Sequence, residues 1–292
     1  MRATALIRLI CGAALTAMLA VSASSCGGSA PATLDPVAQA AAVTSHLGGA
    51  HVSISGQIGG AGLASPVTLD GGGFFNYKTQ EGSLTLDVNG LPAGATESLG
   101  SGSLRVEELF KSTTIYVGSP LFANKLPGGA RWMKLDLGRF AQAVGLNLQQ
   151  LVGGQSNPAQ VLEFLRATSA VSRVGIETVR GVPTTRYRAK IDLAKAADVL
   201  PGANRDQVRS ALKKLSAQTG LSDIPVEVWI DGHKTVRRLA LELAAPAGAD
   251  KVTVHLQIEL FDFGPTPPVT TPSQSEVFDA TQTALGRLSE GS

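Results

Sequence analysis

Cysteine is almost missing from this 292-residue chain. There are two, Cys11 and Cys26, and none beyond them. A disulfide framework and a thiolate metal site are therefore both excluded from the long remainder. Histidine is also scarce. His46, His51, His233 and His255 do not stand at ligand spacing with one another or with carboxylates, and H-E-x-x-H is absent, so no metal is expected. There is no G-x-S-x-G elbow, and Gly71-Gly72-Gly73 is not followed by Lys-Ser/Thr. Asp192, Asp198, Glu227 and Asp231 are scattered, without the pairing that glycoside hydrolysis needs. No catalytic residue, cofactor or enzymatic activity is expected. Charged residues make up only 16% of the chain. Without Arg2 and Arg8, basic and acidic residues are equal at 23 each. Nothing in that balance suggests nucleic acid.

What is present begins with a targeting pattern. Arg2 and Arg8 precede an apolar run from Leu9 to Val21, too short to span a bilayer but of the length of a signal-peptide core. Ala23-Ser24-Ser25 and Cys26 follow, then the small polar run Gly27 to Pro31. This resembles the bacterial lipobox, with Ala23 where leucine is usual, and makes Cys26 the expected lipidation site. Residues 1–25 would be the signal peptide and 26–34 a lipidated tether. The alternative is an ordinary signal peptide cleaved near Ala23 or Ser25. No later run is long enough for a second membrane span.

Beyond the tether, Asp35 to Leu47 predicts a helix, with Asp35 as cap and Val37, Ala40, Ala41, Thr44 and Leu47 on one face. Period-two alternation then predicts strands over 51–58, 66–70, 74–77, 83–88, 104–110, 113–117 and 131–137. Helical patterns interrupt at 138–152 and at 157–168, the second starting at Asn157-Pro158. Val161, Leu162, Phe164 and Leu165 give that helix a broad apolar face. Strands return at 169–179 and 183–193 about an Arg180-Gly181-Val182 turn. Helical pieces follow at 193–199 and 204–219, then strands at 225–230, 237–243 and 252–263. Asp231-Gly232 is a hairpin signal. A Thr/Pro linker from 264 and a helix over 276–288 close the chain. Sheet, helices, sheet without βαβ alternation is α+β.

Several stretches in this order resemble the LppX/LprA/LprF/LprG-type lipoproteins of the LolA/LolB-like superfamily. They are the lipobox, Arg131 to Leu137, the Asn157-Pro158 helix ending Leu165-Arg166-Ala167-Thr168, Val174 to Tyr187, and Pro225 to Asp231. The resemblance covers about residues 35–263. It implies a strongly curved antiparallel half-barrel with helices on its concave face and an apolar cavity that holds acyl chains. It also implies a role in carrying or presenting lipid or lipoglycan in the cell envelope, with a membrane transporter as a further partner.

On that fold the cavity-lining candidates are Val52, Ile54, Leu84, Leu86, Phe110, Ile115, Val117, Val161, Leu162 and Leu165, with ordinary core packing the alternative for each. Arg180, Arg186, Arg188, Lys190, Lys234, Arg237 and Arg238 are either solvated strand exterior or a rim for anionic headgroups. The expected protein is a monomer anchored through Cys26 to the extracytoplasmic face of the membrane. The rival is an envelope sensor or protein-interaction module on the same fold.

Overall fold

The structure is a computed structural model. It describes residues 36–60, 63–91, 103–122, 125–136, 138–139, 168–196, 222–247 and 250–283, with single positions at 209, 210, 213 and 216. The chain up to residue 35, with Cys26, lies outside these residues, as do most of the helical stretches expected at 138–152, 157–168 and 204–219.

The described chain opens with α1 (Pro36–Ser45). One antiparallel meander follows: β1 (Gly49–Gly60), β2 (Val67–Asn76), β3 (Glu81–Asn89), β4 (Ser103–Lys111), β5 (Thr114–Gly118) and β6 (Trp132–Asp136). The second meander is β7 (Thr168–Val179), β8 (Val182–Asp192), β9 (Asp223–Asp231), β10 (Val236–Ala247) and β11 (Asp250–Phe261), with the short α2 (Leu193–Ala196) after β8. The two are joined where β1 pairs with β11, from His51 opposite Phe261 to Gly60 opposite Val252. The result is a single open, curved sheet in the order β12-β6-β5-β4-β3-β2-β1-β11-β10-β9-β8-β7, where β12 is Val277–Asp279.

Alternation sorts the side chains to two faces. One cross-strand row runs Leu86, Gly71, Ile54, Ile258, Leu239 and Val228 over β3, β2, β1, β11, β10 and β9. The next runs Val88, Leu69, Gly56, Leu256, Leu241 and Val226. The opposite face carries polar residues such as Ser53, Ser55, Gln57, Asp70 and Gln257. Helix α1 packs on the apolar face against β9 and β10, burying Val37, Ala40 and Ala41 with Val226, Val228, Ile230 and Val236. Its alanines let helix and sheet approach closely. Thr44 fastens the contact: its Oγ1 donates to Ala40 O (2.6 Å) and accepts from Val236 N (2.9 Å).

The sheet departs from the sequence expectation in three places. The glycine triplet, expected between two strands, lies inside β2, whose pairing with β1 and β3 runs unbroken through it. A Cβ on Gly71 would stand 2.1 Å from Thr85 O, and one on Gly73 only 1.8 Å from Ser83 O. Neighbouring backbone thus crosses where a side chain would go, which is how glycine admits a tight bend in a sheet. At the β9–β10 turn the left-handed residue is Lys234 (φ 61°), not Gly232. The Asp231 carboxylate there accepts from the N–H groups of His233 and Thr235, both at 2.9 Å, and wraps a longer loop than Asp-Gly alone implies. The segment expected as a helix from 276 opens instead with β12, parallel to β6. The Thr/Pro segment before it is packed on the domain: Gly264 N–H donates to Gly49 O (2.9 Å), Asn76 donates to Thr266 Oγ1 (3.1 Å), and Val269 is buried.

Gly73→Val should force Ser83 away and break the β2–β3 ladder. The expected loss is about 1–3 kcal/mol, read from the urea midpoint. An equivalent change at Gly175 in β7, where a Cβ would meet nothing within 4 Å, is the steric control.

Candidate functional site

The apolar face holds two sealed clusters. One surrounds α1. The other gathers Val52, Ile54, Leu84, Leu86, Phe110, Ile115 and Val117, each at most 8% exposed. These are seven of the ten cavity candidates, and the fold brings all seven together as close-packed neighbours. Val161, Leu162 and Leu165 lie outside the described residues. Between the clusters runs a band that is only half-buried: Leu69, Leu239, Leu241, Leu256 and Ile258, from β2 across β11 to β10. Sequence reasoning did not single these out as lining, although their alternation was visible. They are the described residues that could floor a site for apolar ligands. None of the described helices is long and apolar enough to cross a membrane.

A carboxyl side chain interrupts this face. Glu108 points inward between Leu84 of β3 and Val117 of β5, its cross-strand partners. It is 3% exposed, and its Oε1 has no hydrogen-bond partner. Such an unmet buried group costs about 1–3 kcal/mol. Burial pushes its pKa up to about 7. The ionisable neighbours Glu81, Asp87, Arg105, Glu107, Lys111, Tyr116, Lys134 and Asp136 all alternate to the opposite face of β3 to β6. In the sequence the signal is the interruption in Leu104, Val106, Glu108, Phe110, one face of one strand.

The polar face is organised by ion pairs. Glu177 accepts from Trp229 Nε1 (2.8 Å) and Arg186 Nη1 (2.7 Å). These two bonds hold its carboxyl below its ordinary pKa. Arg186 and Arg188 both donate to Glu227. The Trp229 ring lies between the guanidinium groups of Arg186 (5.1 Å) and Arg238 (5.2 Å). Arg238 and Arg180 share Glu259, each at 2.7 Å. Burial acts to raise the Glu259 pKa, and the two arginines more than offset it, so the net direction is down. Arg237 pairs with Asp231 at 2.7 Å, and Lys234 donates to Gln39 at 3.1 Å. Of the basic residues expected as solvated exterior or headgroup rim, the five arginines are thus each paired with one or more of four carboxylates of the sheet. Beside this network the polar face dips into an open cavity of about 970 Å³, where small Ser55, Ala240 and Ala244 stand among larger Gln57, His255 and Arg188. Its lining also includes Val226, Leu241, Leu243 and Leu256, so it shares Leu241 and Leu256 with the apolar band.

A carboxyl whose pKa is raised on folding contributes its full stability below the unfolded value near 4.5. It loses that contribution as pH climbs through about 7. Glu108→Gln should therefore become the more stable protein on the alkaline side. The stability difference between wild type and variant should shift by about 3 kcal/mol between pH 4.5 and pH 8, measured by urea unfolding at each pH. A difference that stays constant would show that Glu108 gains a partner on ionising.

No protein-family model matches the sequence. An uncharacterised 31.2 kDa protein of Streptomyces griseus, from the rplA–rplJ intergenic region, is 26% identical over 203 residues, covering 68% of this chain and 64% of that protein. The chain thus spans less than two thirds of that relative's length. Solved structures similar to it include LprF of Mycobacterium bovis (16% identity, 82% of this chain and 94% of that one, TM-score 0.39). They also include the lipoprotein LppX of Mycobacterium tuberculosis (15%, 82% and 100%, TM-score 0.39) and a LolA-superfamily protein of Nitrosomonas europaea (8%, 80% and 96%, TM-score 0.28). All three are under 25% identical to this chain.

Proposed function

We propose that this chain is a lipoprotein of the cell envelope that binds the acyl chains of lipids on the apolar face of its sheet. The observation that carries the reading is the half-buried band of Leu69, Leu239, Leu241, Leu256 and Ile258 between two sealed clusters. A sheet that seals both flanks of one face and leaves a leucine-rich strip between them offers apolar surface to a ligand. An acyl chain laid there leaves water at about 0.8 kcal/mol per methylene. The action is passive, without catalysis. Cys26, as the lipidated residue, holds the domain at the extracytoplasmic face of the membrane, where it carries or presents lipid or lipoglycan and hands it to a membrane transporter.

Native mass spectrometry of the chain should show bound lipid. Leu241→Trp and Leu256→Trp should cut lipid per folded molecule several-fold while shifting the urea midpoint little, because a half-buried site has room for a ring. Lost stability with unchanged lipid would place the band in the core and remove the reading. Separately, Cys26→Ala should appear in the soluble fraction. A variant that still pellets with membranes after a high-salt wash would exclude anchoring through Cys26.

A further inference from the structure

Glu108 serves no structural partner. Its Oε1 is sealed from water without a hydrogen bond, and the residues across from it on β3 and β5 are Leu84 and Val117. Packed cores do not keep such a group for stability, since an apolar side chain of similar size would serve better. The residue also stands at a boundary. Towards Phe110 its strand is sealed, while towards Val106 and Leu104 the same face becomes half-buried. Val106 pairs with Leu86, whose row continues through Gly71 and Ile54 to Ile258 of the apolar band. Glu108 is thus a polar point at the rim of the sealed cluster, where its own face opens towards half-buried Val106 and Leu104.

We propose that Glu108 is the polar contact of the acyl-binding face, and that its unpaired oxygen takes the hydroxyl group of a hydroxyl-bearing acyl lipid. This deepens the lipid-binding reading and rests on it. A protonated carboxyl donates through O–H and accepts through its carbonyl oxygen, and a hydroxyl does both, so one group meets the whole need. Diffuse apolar contact along the band favours any acyl chain of fitting length. The buried carboxyl adds selectivity, because a lipid without the hydroxyl leaves it unmet.

The test compares dioleoylglycerol with its methyl ether, which differs in the hydroxyl alone, for binding to the delipidated full-length chain. Wild type should prefer dioleoylglycerol about tenfold. Glu108→Gln keeps both donor and acceptor and should retain the preference. Glu108→Leu should bind the two lipids equally. A wild type without preference, or a leucine variant that keeps it, overturns the proposal. If the leucine variant does not fold, the wild-type and glutamine ratios decide alone, because a merely structural glutamate would not distinguish two ligands. Failure of wild type to bind either lipid would instead overturn the lipid-binding reading and this proposal with it. Equal, tight binding of both would overturn this proposal only.

Discussion

The pairing of β1 with β11 is the interaction on which the rest of the molecule depends. Each meander pairs strands that follow one another in the sequence. Neither alone makes the half-buried band, whose members come from β2 on one side of the seam and from β10 and β11 on the other. The seam joins residues about 200 positions apart in the chain, so its formation carries a large loop-closure cost and sets a high contact order. Register matters as much as pairing. A slip by one residue at the seam would turn Val52, Ile54 and Ile58 away from Leu260, Ile258 and Val254, placing the apolar faces of the two halves on opposite sides of the sheet.

The two faces divide the physical work. The apolar face supplies burial, with α1 closing one end and the strand side chains closing the other. The polar face holds five strands in line through Glu177, Arg186, Glu227, Trp229, Arg238 and Glu259, each from a different position on β7 to β11. An aromatic ring between two guanidinium groups, each tied to a carboxylate, fixes side chains that would otherwise be free. This pattern makes the second meander stiff on its polar side. The exposed apolar residues Val174 and Ile176 lie on the edge strand β7, where pairing with β8 shifts register twice.

Much of this was legible in the chain. The strands with strict alternation, such as Ser83 to Val88 and His51 to Ile58, lie where the pattern put them, because a single buried face imposes period two. The Arg180-Gly181 turn was also readable, and both residues adopt the positive φ that such a turn demands (48° and 80°). The glycine triplet was misread because glycine usually punctuates strands, whereas here close backbone approach makes it part of one. Gly232 was expected to carry the next turn, but the Asp231 side chain organised it instead. At the candidate site the sequence identified residues that share a face but could not say which would be sealed. Sealing depends on neighbours from β10 and β11, far away in the chain. Glu108 was visible as a charge at an apolar position, yet its isolation follows only from knowing that every charged neighbour on β3 to β6 alternates outward.

The docking of β12 against β6 has a consequence for association between molecules. An open sheet ends in a row of unpaired backbone donors and acceptors, a template on which another chain can grow. Here the segment from Gly264 onward passes Gly49 and Asn76 and ends by covering the β6 edge, with Lys134 and Asp279 clasped at 3.0 Å across it. The strand it adds is only three residues long and parallel, and a short strand of that kind offers little to the next molecule. The far edge is protected differently, by the two breaks in the β7–β8 register. Copies of an open-sheet protein that meet can pair along such borders. Capping one border with its own tail and kinking the other keeps those encounters from becoming fibres.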